Sequence, residues 1–279
     1  MEQPVPRAPY QERTPGDAPN PMSVHDLFPR AKPVVAVIHA APSPGVPGAI
    51  DVRAAVDRAV AEASLLVDLG VDGLLVENAH DAPALSEEET GPEVVAYMTS
   101  VAAAVRRHAN RLPVGVRLLN ADRAALAVAY AAGCHFVRVD GWANDPAAAA
   151  RFHRYRGHIG TADLPVLADV RPHHADEVPD LVASTEAARP DALIVLGPSV
   201  GQTPQPGVVD TACSETDLPL FCGGGLDADN LHEFIDDADG FFIGSGLKES
   251  GRWQAPVCEP RVRALIGAVE YARGQEVRQ

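Results

Sequence analysis

One pattern constrains this chain more than any other: a short apolar run followed by an Ala-rich helical stretch, repeated eight times. The runs fall at 34–39 (VVAVIH), 73–78 (GLLVEN), 113–118 (PVGVRL) and 135–140 (HFVRVD). Four more follow at 165–170 (PVLADV), 191–196 (DALIVL), 218–222 (LPLFC) and 239–243 (DGFFI). Between them lie segments with helical spacing: 51–69, 91–109, 121–132, 145–159, 177–187, 206–214, 227–236 and 259–273. Strands alternating with helices imply parallel βαβ crossovers, and eight such units fit a closed (β/α)8 TIM barrel in one domain. An open doubly wound sheet is the alternative, since periodicity alone does not show closure. The phrases "DLGVDGLLV" and "AAGCHFVRV" place a glycine just past a helix end, where a left-handed cap turns the chain into the next strand.

Length and composition agree with this reading. The 279 residues suit one barrel of ~250 residues plus an extension. Only 5% of residues are aromatic against 46% hydrophobic, so the core must be built mostly from Ala, Val and Leu. A net charge of −15 lacks the basic stripe of a nucleic-acid binder, and no nucleic-acid partner is expected. Cys134, Cys213, Cys222 and Cys258 form no CxxC pair and read as packing residues. No run reaches the ~18 apolar residues of a membrane span and no apolar signal core opens the chain, so a cytoplasmic protein is expected. The first 30 residues carry seven prolines and almost no apolar periodicity. Residues 1–21 are therefore expected to be a disordered extension that folding does not require, with the barrel spanning 22–279. The stretch "MSVHDLF" reads as a short amphipathic turn at the start of that domain.

A barrel of this kind places its chemistry at the C-terminal ends of the strands. Collected by that rule, the candidates are His39, Glu77 and Asn78, Arg117 and Asn120, Arg138 and Asp140, and Asp169 and Arg171. Gly197, Gly223, Gly224, Gly225, Gly244 and Ser245 follow. The last two loops, "CGGGLDADN" and "IGSGLK", sit where such barrels bind phosphate through backbone N–H groups. The same glycines also suit a tight turn, and Lys248 reads as either a point charge for the phosphate or a solvated cap. Val35, Val37 and His39 share one face, so an inward His39 would present its imidazole to the cavity. Asp169 with Arg171, and Arg138 with Asp140, also share faces. They read either as structural ion pairs or as a general base tuned by its arginine. His173 and His174 lie in the loop after the fifth strand beside Asp176; adjacent residues rarely converge on one ion, so no metal is expected there. The acidic run at 86–89 reads as a solvated face before a helix.

Taken in order, "VIHAAPSPG", "GVDGLLVENAHDAP", "LPVGVRLLNAD", "FVRVDG", "LADVRPHHA", "DALIVLGPSVG", "GGGLDADNL" and "DGFFIGSGLKESG" resemble the BtpA/SgcQ family. The resemblance runs from about Met22 to the C-terminal helix. It implies a phosphate-binding TIM barrel and, through the family's name, a link to photosystem I biogenesis. The family pattern places recurring positions at His39, Glu77, Asn78, Asp81, Asp169 and His174. Its presumed phosphate end falls on Gly223, Gly225, Asn230, Gly244, Ser245 and Lys248. The chain departs from the pattern at His173, where the family tends to carry lysine, and in "GPSVG", which lacks the family's hydroxyls. The third strand also ends in Arg117, Leu118, Leu119 and Asn120 in place of an asparagine-rich motif. A Schiff base through a fifth-strand lysine is thus not expected.

The expected function is an enzyme acting on a phosphorylated sugar or nucleotide-like small molecule. Asp169, with His39, Glu77 or His174, would move protons, and no cofactor is expected. Isomerase, lyase and glycosyl-transfer outcomes stay open, as does homo-oligomerisation. The alternative is a non-catalytic biogenesis factor, which should lack an ordered polar cluster at the strand ends.

Overall fold

The computed structural model describes residues 23–276 apart from Asn144. The expected extension at 1–21 lies outside the described residues. Eight parallel strands close into one barrel in chain order: β1 (Val34–His39), β2 (Gly73–Glu77), β3 (Val114–Arg117), β4 (Phe136–Val139), β5 (Val166–Val170), β6 (Ala192–Leu196), β7 (Leu220–Gly223) and β8 (Gly240–Ile243). Closure is made by β8 against β1, with Val34 opposite Phe241 and Val35 opposite Phe242. The open-sheet alternative is thereby excluded.

The outer helices start and stop where the sequence chemistry dictates. In α2 (Val52–Asp68) the Asp51 carboxylate accepts from the N–H groups of Arg53 and Ala54. Proline occupies the first position of α3 (Pro92–His108), α5 (Pro146–His158) and α7 (Pro206–Ser214), where its missing N–H costs nothing. Helix α4 (Asp122–Ala132) ends on Gly133, left-handed at φ +68°. The acidic run at 86–89 does more than face solvent: the Glu87 carboxylate accepts from the N–H groups of Arg123 and Ala124, capping α4 from a different loop. Helices α6 (Val178–Ala187) and α8 (Glu259–Glu276) complete the ring.

The helix expected at 227–236 is a correction. Only a 3-10 turn, Leu231–Glu233, forms there. Asp227 accepts from the N–H groups of Asp229 and Asn230, while Asn230 accepts from Asp227 N–H. These local bonds hold the backbone in a turn that competes with a helical start.

The short helix α1 (Val24–Leu27) seals the N-terminal mouth of the barrel. Ser23 and Asp26 form a capping box, and Val24, Leu27 and Phe28 bury among inward residues of the strands. The Phe28 ring lies edge-on to Phe136 and Phe221, each 5.7 Å away. Gly73 leaves room for this plug, because a Cβ there would come within 2.8 Å of the Phe28 ring. The N-terminal end of the barrel interior is thus closed by aromatic rings, and the inward-facing charged residues of the strands lie at the opposite mouth. Among the described residues, no helix is long and apolar enough to cross a membrane.

Candidate active site

Alternation along each strand decides what enters the barrel. Val35, Val37, Leu75, Phe136, Leu167 and Ile194 form its apolar interior, so His39, Glu77, Arg138 and Asp169, each two residues after one of these, share those inward faces, and Arg117 does so two residues after Gly115. His39 stands opposite Glu77, and Glu77 opposite Arg117. The charged residues bond across strands. Arg117 reaches Glu77 at 3.0 Å and Asp169 at 3.1 Å, and also bonds Asp140. Arg138 grips Asp169 with Nε at 2.7 Å and Nη2 at 3.1 Å, and its guanidinium lies 5.5 Å from the Phe242 ring centre. The same-strand pairs suggested by the sequence are therefore replaced: Asp169 bonds Arg138 and Arg117 in place of Arg171, and Asp140 bonds Arg117 in place of Arg138. Neighbouring strands lie ~4.8 Å apart, closer than residues i and i+2 of one strand, so cross-strand partners win.

Burial alone would raise the Glu77 carboxyl, but Arg117 and Arg138 outweigh it and hold the group down at about 2. Burial lowers the His39 imidazole, against the smaller opposing pull of Glu77. His39 is thus neutral at pH 7. Its Nδ1 lies 2.9 Å from the Trp253 carbonyl oxygen. A carbonyl only accepts, so the proton sits on Nδ1 and Nε2 keeps its lone pair. A Cβ placed on Gly244 would fall 3.1 Å from that Nε2, so the free nitrogen lies against the turn after β8.

Asn78, Asp81 and Ser43 form a scaffold around the β1 and β2 loops. Asn78 accepts from Leu119 N–H at 2.8 Å and donates to Asp81 at 3.0 Å, and Asp81 accepts from both the N–H and hydroxyl of Ser43. Asn78 is buried by this work and does not border the cavity. Asn120, left-handed at φ +57°, donates its N–H to Asp140. Arg171 donates to the Gly197 carbonyl at 2.9 Å; among the described residues, no carboxylate lies within ion-pair distance of it.

The two glycine-rich loops meet at the cavity. Gly224 and Gly225 have φ of +82° and +63°, and Cβ atoms there would reach Gln202 O at 2.8 Å and Thr203 N at 2.6 Å. Glycine is therefore required for the turn itself. The Gly225 carbonyl is held by Thr203 and Asn230, while the N–H groups of Gly224, Gly225 and Ser245 bond no acceptor among the described residues. Lys248 is neither a solvated cap nor a cavity charge: it is 2% exposed and paired with Glu62 of α2, behind the β8 turn.

The strand ends open into one mouth with two lobes. The inner lobe, about 310 Å³, is bordered by His39, Glu77, Arg138, the two glycine loops and Trp253. The outer lobe, about 710 Å³, is bordered by Asn120, Asp140 and Asp169. Arg117, Arg171 and Ser199 border both lobes, which therefore adjoin. His174 is not brought in: it is exposed on the loop after β5 and borders neither lobe. Gly197 and Gly223 pack behind the lining, with the Gly197 carbonyl serving Arg171. Sequence reasoning missed Trp253, whose ring lies edge-on to His39 at 5.7 Å and tilted against His80 at 4.7 Å. Its signal was available, as one of two tryptophans sits just after the last strand. Among the described residues, no three His, Cys, Asp or Glu side chains group as metal ligands.

The chain belongs to the BtpA family, whose profile matches residues 30–271. It is 32% identical over 267 residues to the photosystem I biogenesis protein BtpA of Synechocystis sp., covering 89% of this chain and 91% of that protein. The barrel also resembles 3-hexulose-6-phosphate synthase from Salmonella typhimurium, with a TM-score of 0.58 at 15% identity over 86% of this chain and 99% of that one. Thiamine phosphate pyrophosphorylase from Pyrococcus furiosus gives 0.56 at 15%, over 87% and 96%. At such identities the two enzymes establish the fold alone.

Proposed function

We propose that this chain is an enzyme that binds a phosphorylated small molecule in the barrel mouth and moves a proton through His39. One observation carries the reading: the lone-pair nitrogen of a neutral histidine lies against a turn whose backbone N–H groups are unspent, inside one cavity. The N–H groups of Gly224, Gly225 and Ser245 would hold the phosphate, as unpaired backbone donors do at phosphate sites. His39 Nε2 then serves as general base toward the carbon skeleton attached to it. Arg117 and Arg138 hold the Glu77 carboxyl down at about 2, which makes it a poor base, and both arginines also bond Asp169. In this reading the two carboxylates fix Arg117 and Arg138 toward charge that develops during reaction. That several fold neighbours are named for phosphorylated compounds is consistent with the reading. The ordered polar cluster disfavours a bare scaffold, for which the strand ends need no such cluster. The biogenesis role in the relative's name stands as the second reading, and an enzyme's product could serve such a process.

Ser245→Asp tests the anchor. Ser245 is half-buried at the start of a 3-10 turn, where an acidic side chain is tolerated, but its charge would repel phosphate. The midpoint of thermal unfolding should rise with inorganic phosphate or ribose 5-phosphate in the native chain and not in the variant. An equal rise in both would remove the loops from the anchor.

A further inference from the structure

The inner lobe is small for the mouth it belongs to. Sites for whole small ligands span ~300–1,000 Å³, so about 310 Å³ holds one compact phosphorylated group and little else. The outer lobe of about 710 Å³ adjoins it and is not needed for that group.

Val170, Leu181 and Pro198 border this lobe alone, while Leu119 and Val200 are shared with the inner one. Together they give the outer lobe aliphatic walls. The charged groups at its floor are spent on one another, Arg117 with Asp140 and Asp169, and Asp169 with Arg138. Hydrogen-bonding capacity is left on the Asn120 amide, the Ser199 hydroxyl and the remaining N–H groups of Arg171. Glu77, Asp81, Asp140 and Asp169 outnumber Arg117, Arg138 and Arg171 around the mouth, so it has no surplus positive charge to attract a second anion. A polyol would need partners along every face. A flat, uncharged body with a polar edge needs only apolar walls and a few donors and acceptors on one side.

We propose that the outer lobe is a second subsite for a neutral, planar heterocycle of the nucleobase kind, joined to the phosphorylated group in the inner lobe. This rests on the phosphate reading above. Arg171 and Ser199 border both lobes and would contact the junction between the two parts. Val200, 87% exposed at the rim, would cover the ring when the subsite fills.

Binding of inorganic phosphate, ribose 5-phosphate, AMP and UMP to the full chain, measured by calorimetry, tests this. At least one nucleotide should bind roughly tenfold or more tightly than ribose 5-phosphate. Ala143→Phe, which narrows the outer lobe, and Asn120→Gly, which removes the amide at a left-handed position, should each reduce that gain. Both should leave ribose 5-phosphate affinity unchanged. Equal affinities for nucleotides and ribose 5-phosphate would overturn the subsite, as would a gain that survives both variants. If ribose 5-phosphate and inorganic phosphate also fail to bind, the phosphate anchor fails and the subsite with it. Retained phosphate binding without a nucleotide gain sinks the subsite alone.

Discussion

His39 and Glu77 are paired across adjacent strands, yet the same surroundings push their protons in different ways. Burial strips the imidazole of its charge, whereas Arg117 and Arg138 hold the carboxylate ionised against burial. A carboxyl depressed to about 2 adds stability that is full above its ordinary 4.5 and is lost as pH falls toward 2. Glu77→Gln should therefore flatten the acid limb of a denaturant midpoint measured against pH, and an unchanged limb would remove Glu77 as its source. For His39→Gln the expectation is different. Glutamine can still donate to the Trp253 carbonyl, so phosphate affinity should persist while turnover falls about 10²–10⁴-fold. Loss of phosphate binding in that variant would mean His39 belongs to the anchor. The inward positions of these residues were legible from period-two spacing, since His39 follows Val35 and Val37 on one face. Their bonds were not. Which carboxylate Arg138 holds depends on strand register and stagger, which no single strand contains.

At the scale of elements, two small pieces do more than their length suggests. Helix α1 is four residues long, but it carries Phe28 into the barrel end. Phe28→Ala should cost about 3–5 kcal/mol in urea unfolding, as for other large buried rings. A cost below 1 kcal/mol would show that the plug is dispensable. The Lys248–Glu62 pair ties the β8 turn to α2 from a fully enclosed position. Burial lowers the lysine and Glu62 opposes that shift. Removing one partner strands the other, so Glu62→Gln should destabilise by about 3–5 kcal/mol, and a Glu62→Leu, Lys248→Met double variant should recover much of it. If the double variant is no more stable than the single, the pair is not the issue at that site. Strands and most helices were readable here because hydrophobic period and Pro or Gly punctuation are local. The 227–236 segment misled because its aspartates and Asn230 suit a helix start and a closed turn equally. Lys248 misled because burial is decided by α2, 186 residues away in the chain.

For the whole molecule, closure converts eight repeated units into one polarity. Aromatic and aliphatic residues fill and plug the N-terminal end, while carboxylates, arginines and His39 gather at the other. The repeat made the barrel and its polar strand ends visible in the sequence, and the family profile matches residues 30–271. The two-lobed mouth and Trp253 were not visible, because cavities arise from loops brought together only on closure. The glycine loops have a double character that sequence could not divide: positive φ and close packing demand glycine for the turn, and that turn leaves N–H groups without an acceptor among the described residues at the cavity border. A crystal structure of the full chain with ribose 5-phosphate tests this most directly. The account predicts phosphate density within hydrogen-bond reach of the Gly224, Gly225 and Ser245 N–H groups, with the sugar carbons beside His39 Nε2. Phosphate bound elsewhere, or a sugar directed away from His39, would contradict it.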